Sequence, residues 1–108
     1  MNYRRIAFLL LSFLFLIPAL AAEPLKVMSF NVRYPNSRDG ENVWEARRDV
    51  LVETIRRAEP DVLGTQELFQ LQADYIIAKL PQYGWFGLSR YGNHENEHMG
   101  ILYSKDLL

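Results

Sequence analysis

Apolar positions along the chain fall into blocks of distinct period. From Leu25 to Tyr34 (LKVMSFNVRY) they alternate, with Leu25, Val27 and Ser29 facing one way and Met28, Phe30 and Val32 the other. A period of two with β-branched and aromatic content predicts a buried strand. Pro35 to Gly40 (PNSRDG) then reads as a loop. The period changes beyond it. Trp44, Arg47, Leu51, Ile55 and Ala58 recur at three- and four-residue steps, which predicts a helix, with Arg47 laying its aliphatic stem along the core. Asn42 with Glu45 three positions on has the form of a capping box, and Pro60 ends the helix. Arg48, Glu53, Arg56 and Arg57 fall largely outside the stripe and read as solvated.

The rest of the chain repeats these periods. Asp61 to Glu67 (DVLGTQE) predicts a second short strand. A second helix begins at about Leu68, with Phe69, Ala73, Ile76 and Leu80 as its inner stripe and Pro81 as its stop. Tyr83 to Ser89 and Glu97 to Ser104 predict two further strands around a polar turn, Arg90 to Asn96. The expected order is β-α-β-α-β-β, a mixed class between α/β and α+β.

The N-terminus departs from this pattern. Two arginines, Arg4 and Arg5, precede a twelve-residue apolar run from Ile6 to Ile17 broken only by Ser12. Pro18 and the Ala19-Leu20-Ala21 spacing follow, in the order of a secretory signal peptide. The run is short of the roughly 20 apolar residues of a membrane span. The expectation is therefore cleavage near Ala21, a secreted or periplasmic product, and no stable membrane anchor. Removal of residues 1–21 takes away two arginines and no acid, leaving 87 residues and moving the net charge from -1 to -3. Such a chain has no basic surplus for strong nucleic-acid binding, and a phosphate substrate would need a cation. The absence of cysteine excludes a disulfide framework, a thiolate metal site and a thiol nucleophile.

Three places could carry chemistry. Glu67 ends an apolar strand just before a helix, where α/β folds place ligands. A carboxylate there can hold Mg²⁺, or it can serve as a cap or solvated residue. Asn31 interrupts an apolar strand. Its amide, if buried, costs about 1–3 kcal/mol unpaired, so it must find structural partners, a phosphate or a metal-bound water. His94-Glu95-Asn96-Glu97-His98 matches the zinc-protease spacing H-E-x-x-H, which requires both imidazoles on one helical face. Glycines and a strand-like run flank it, and in a strand the two histidines would stand roughly 13 Å apart. A polar loop entering a strand is the simpler reading.

Together these segments resemble the start of the endonuclease/exonuclease/phosphatase superfamily, the deoxyribonuclease-I-like metal-dependent phosphoesterases. VMSFNVRY is similar to its first strand, EPDVLGTQE to its P-D-(apolar)-x-x-x-Q-E signature, and EHMGILYS to a later strand. The resemblance implies the N-terminal portion of a four-layer α-β-β-α sandwich over residues 22–108. It also implies Glu67 as ligand of Mg²⁺ or Mn²⁺, Asn31 positioning the phosphate or attacking water, and Glu97 orienting a base histidine. The family's base histidine, Asp-x-Asn pair and final Asp-His pair lie in a second half that has no counterpart before Leu108. The expectation is thus a phosphodiester or phosphomonoester hydrolase when intact, inactive as this segment alone. A non-catalytic secreted remnant is the competing reading. DNA, RNA, a sphingolipid head group, an inositol phosphate or a small ester all remain open as substrate, and so does the oligomeric state.

Overall fold

The computed structural model describes residues 22–107, so the signal-peptide expectation lies outside the described residues. Six regular elements follow the expected order: β1 (Val27–Asn31), α1 (Trp44–Ala58), β2 (Val62–Gln66), α2 (Gln70–Lys79), β3 (Tyr83–Ser89) and β4 (His98–Ser104). Short 3-10 turns occupy Gly40–Asn42 and Lys105–Leu107. The strands form one mixed sheet in the order β1-β2-β4-β3. β1 and β2 are parallel, joined by α1 as the crossover that parallel strands need. β4 is antiparallel to both β2 and β3.

Both helices contribute to one core. Leu51, Val52 and Ile55 of α1 and Ala73 and Ile76 of α2 pack with Leu63 of β2 and Leu102 of β4, and Met28 and Phe30 of β1 close its edge. Val52 joins this core although the expected stripe omitted it, because a helix face in contact with a sheet is wider than a single row. Gly100 admits the core side chains: a Cβ there would meet Leu68 Cδ2 at 2.6 Å. The Thr65 hydroxyl donates to the Gly100 carbonyl at 2.8 Å.

Three local expectations are corrected. Val43, not Asn42, precedes the first turn of α1, and no side chain caps it. Asn42 instead offers its carbonyl to Arg47 Nε. Glu59, in the left-handed conformation (φ 47°), ends α1 by donating its N–H to the Ile55 carbonyl, one residue before Pro60. β1 is an edge strand half-buried on its helix-facing side alone. Val27 on the other side is 66% exposed.

That other side is open across the sheet. The register sets Val27 beside Val62, Gly64 beside Ile101, Phe86 beside Ile101 and Leu88 beside Met99. Phe86, Leu88 and Met99 are 61%, 59% and 76% exposed. One apolar face thus packs on helices while the opposite apolar face meets solvent. The described residues form one sheet layer and one helix layer, the arrangement of half a sandwich.

Candidate functional site

The parallel pairing of β1 and β2 brings their C-terminal ends together at one edge of the sheet. The antiparallel partners add the end of β3 and the start of β4 to the same edge. A cavity of about 460 Å³ opens there, lined by Asn31, Glu67, Ser89, Arg90 and Glu97 among others. The three residues singled out in the sequence therefore meet at one mouth.

Glu67 is the centre of it. Its Oε1 accepts from Asn31 Nδ2 at 2.9 Å, and its Oε2 accepts from the Tyr34 N–H at 3.3 Å. Arg33 Nη1 lies 3.9 Å from Oε2. The Asn31 amide first, then the Tyr34 N–H, hold the Glu67 carboxyl below the ordinary carboxylate range, and the Arg33 charge adds to this. Asn31 is exposed rather than buried, a correction to the sequence expectation. Its partners are nonetheless complete on the protein side, since its Oδ1 accepts from the Arg33 N–H at 2.8 Å. One N–H of its amide remains for a ligand.

The backbone beneath these side chains is unusual. Glu67 has φ 58° and Arg33 φ 55°, left-handed values that cost an ordinary residue roughly 1–2 kcal/mol. Tertiary hydrogen bonds hold the Arg33 turn in place. Arg47 of α1 donates from Nη1 to the Val32 carbonyl and from Nη2 to the Arg33 carbonyl, both at 2.6 Å. Gln72 of α2 donates from Nε2 to the same Arg33 carbonyl at 2.8 Å, and its Oε1 accepts from the Phe69 N–H at 3.0 Å. The Arg33 guanidinium is itself bonded to both Asp39 oxygens, at 2.9 and 3.0 Å. Both helices thus grip the loop that presents the Tyr34 N–H to Glu67.

Sequence reasoning missed this second ring of residues. Arg47 had a visible signal, as the one charged position in the apolar stripe of α1, but its guanidinium binds backbone carbonyls in addition to its stem lying along the core. Gln72 is fully buried, a polar residue one position before the core residue Ala73. Arg48 is half-buried rather than solvated, its guanidinium 4.6 Å over the Tyr75 ring. Arg90 had no signal beyond being a turn cation. It donates from Nη2 to Glu97 Oε1 at 2.7 Å. Glu97 itself faces the mouth, and its other oxygen makes no hydrogen bond among the described residues.

The His94–His98 segment is a polar loop entering a strand, the simpler of the readings given above. His98 opens β4, and residues 90–96 are turn and bend, so the helical zinc arrangement is not formed. The rings nevertheless stack with centroids 5.8 Å apart, because the turn doubles back instead of extending as a strand. His98 Nδ1 bonds the Leu68 carbonyl at 2.9 Å, and the ring is buried against Trp85.

A divalent cation can be tested against these residues. Glu67 is kept ionised, and each of its oxygens retains a lone pair beyond the bond it accepts. That is the hard oxygen donor Mg²⁺ or Mn²⁺ takes, commonly with one or two carboxylates, waters and substrate oxygens. Among the described residues no group of three or more His, Asp or Glu is placed to hold a metal. The residues fit a cation as one ligand of a larger set.

Comparison with solved structures gives the fold a class: its neighbours include endonuclease/exonuclease/phosphatase family proteins, matched over about 76% of this chain. An endonuclease/exonuclease/phosphatase family protein from Bacteroides thetaiotaomicron is 33% identical with a TM-score of 0.72, and the match covers 76% of this chain and 31% of that one. The mannosyl-6-phosphatase Bt3783 of the same organism is 32% identical, TM-score 0.72, covering 77% and 32%. D. rerio TDP2, in a complex with single strand DNA product, is 26% identical, TM-score 0.57, covering 76% and 30%. The chain spans about a third of the length of these relatives. No protein-family model matches the sequence, and no curated protein matches it.

Proposed function

We propose that this chain supplies the N-terminal part of the active site of a secreted, divalent-cation-dependent phosphoesterase. The observation that carries the reading is the Asn31–Glu67 hydrogen bond at the shared end of two parallel strands, on a backbone held in the left-handed region at Glu67. Such strain persists where surrounding structure over-determines it, and it clusters at functional sites. The neighbours' chemistry supports the class: one is a mannosyl-6-phosphatase, and another is complexed with a single strand DNA product.

Each residue has a defined task. Glu67 stays ionised and offers its oxygens to the cation. A bound Mg²⁺ or Mn²⁺ would neutralise phosphate charge and stabilise the leaving oxygen. Asn31 locks the Glu67 carboxylate in place through one amide N–H and offers the other to a phosphate oxygen. Glu97, whose second oxygen makes no hydrogen bond among the described residues, orients the N–H of a base histidine supplied from outside them.

The test is made on the protein as its gene encodes it. Glu67→Gln keeps the shape and removes the charge. We expect turnover of a generic phosphate ester in Mg²⁺ or Mn²⁺ to fall by about 10²-fold or more, the scale of losing a charge-stabilising group. Chelation of the wild type should have a similar effect. Unaltered activity and metal dependence in Glu67→Gln would refute the assignment. Wild-type protein that folds but neither turns over an ester nor binds Mn²⁺ would favour the non-catalytic reading. Export is checked by N-terminal sequencing of secreted material, which should begin near Ala22.

A further inference from the structure

The cavity at the strand ends has an uneven charge balance. Glu67 and Glu97 each bring a carboxylate to its lining, and Arg90 is the one Lys or Arg among the described residues that line it. Of the other nearby guanidinium groups, Arg33 binds Asp39 through Nε and Nη2, leaving Nη1 3.9 Å from Glu67 Oε2, but is not among the lining residues, and Arg47 is bonded to the backbone carbonyls of Val32, Arg33 and Asn42. Arg90 is different. Its side chain is 70% exposed, and its guanidinium makes one hydrogen bond among the described residues, from Nη2 to Glu97 Oε1. The remaining four N–H donors of the fork are unspent.

Its backbone is well fixed. Arg90 follows β3 at the base of a laced turn. The Ser89 N–H donates to the Asn93 carbonyl and the Gly92 N–H to the Ser89 carbonyl, both at 2.9 Å. The Ser89 hydroxyl bonds Asn93 Oδ1 at 2.6 Å, and the Arg90 N–H points to the Glu97 carbonyl at 3.4 Å. The guanidinium is thus an exposed cation on a hydrogen-bonded turn, placed at the mouth. An exposed ion pair such as Arg90–Glu97 contributes little by itself, so exchanging that partner is cheap.

We propose that Arg90 is the phosphate-recognising residue of this site and that it selects phosphomonoesters over phosphodiesters. The proposal rests on the phosphoesterase reading above. Arg90 turns its free donors from Glu97 toward the terminal oxygens of the substrate. A monoester carries three terminal oxygens and, with a second pKa of about 6, a charge near -2 at neutral pH. A diester carries two terminal oxygens and a single charge. The planar fork matches paired phosphate oxygens in a way an ammonium does not. Without Arg90 the lining loses its one cationic side chain, which costs the dianion more attraction than the monoanion.

The experiment uses the protein as its gene encodes it, in wild-type, Arg90→Met, Arg90→Lys and Glu67→Gln forms, each checked for an unchanged circular dichroism spectrum. Inorganic phosphate is titrated calorimetrically. Turnover of p-nitrophenyl phosphate is compared with that of bis(p-nitrophenyl) phosphate. In Arg90→Met the phosphate Kd should rise roughly 10- to 100-fold, the scale of a charged hydrogen bond. The monoester-to-diester ratio of kcat/KM should fall at least about fivefold, and Arg90→Lys should lie between. An unchanged Kd and ratio in Arg90→Met, with Glu67→Gln still inactive, overturns the role of Arg90 and leaves the phosphoesterase reading standing. A wild type that neither binds phosphate nor turns over either ester overturns both.

Discussion

At the residue scale, the site depends on one carboxylate kept charged by neutral donors. Asn31 and the Tyr34 N–H lower the pKa of Glu67 on folding, so the unfolded chain takes up the proton first as pH falls. The resulting stability is fully present above the ordinary carboxylate value of 4.5 and is lost as pH falls through the lower folded value. Asn31→Ala should therefore destabilise the protein at pH 7 and much less at pH 3, measured as the difference in denaturation midpoint from wild type. An equal loss at both pH values would mean that Asn31 acts without the carboxylate. Asn31 and Glu67 were legible in the sequence because a polar residue inside an apolar strand, and an acid at a strand end, are exceptions to a local pattern. Gln72 and Arg90 were not, because their partners are a backbone carbonyl 39 residues away and a carboxylate across a turn.

At the scale of elements, α1 and α2 serve the site as much as the core. Each sends one side chain to the Arg33 carbonyl, so the loop after β1 is set by where the helices pack. Gln72→Leu keeps the volume and leaves the Phe69 N–H without its partner and the Arg33 carbonyl with one donor fewer. We expect a loss of about 1–3 kcal/mol, the range for unsatisfied buried polar groups. Denaturant unfolding checks this, and a change under 0.5 kcal/mol would show that Arg47 alone holds the turn. Element order and type were readable from periodicity, and β3 occupies the expected residues 83–89. The ends were less readable. β1 is half the length of its alternating run, because pairing with β2 stops at Asn31–Gln66. The start of α1 also slipped past its textual cap, since Asn42 lies in a 3-10 turn.

At the scale of the molecule, the open sheet face dominates. Phe86, Leu88, Met99 and Ile101 pair across β3 and β4 on this face, and Val27 lies on the same face at β1, on strands whose other side is already packed. Patches of this kind mark interaction surfaces or aggregation hazards. Edge strands β1 and β3 add unpaired backbone. Residues 22–108 expressed alone should bind an apolar dye such as ANS, melt broadly and aggregate at micromolar concentration. Fluorescence and calorimetry test this. A sharp melt without dye binding would show that the face closes on itself. The resemblance to an α-β-β-α sandwich implied a second covered face for these strands, and the sequence pattern alone does not state which chain covers it.

The left-handed backbone at Glu67 also has a meaning for how such a sequence changes over generations. Glycine adopts φ 58° without penalty, and asparagine does so with little. In a lineage under selection for folding alone, glycine or asparagine would recover part of the 1–2 kcal/mol of strain roughly typical of that conformation, set against the hydrogen bonds the carboxylate accepts from Asn31 and the Tyr34 N–H. A library randomised at this position and sorted for stability should drift to glycine or asparagine. The same library sorted for ester turnover should return glutamate. The distance between those two outcomes measures how far chemistry, rather than folding, holds the residue in place.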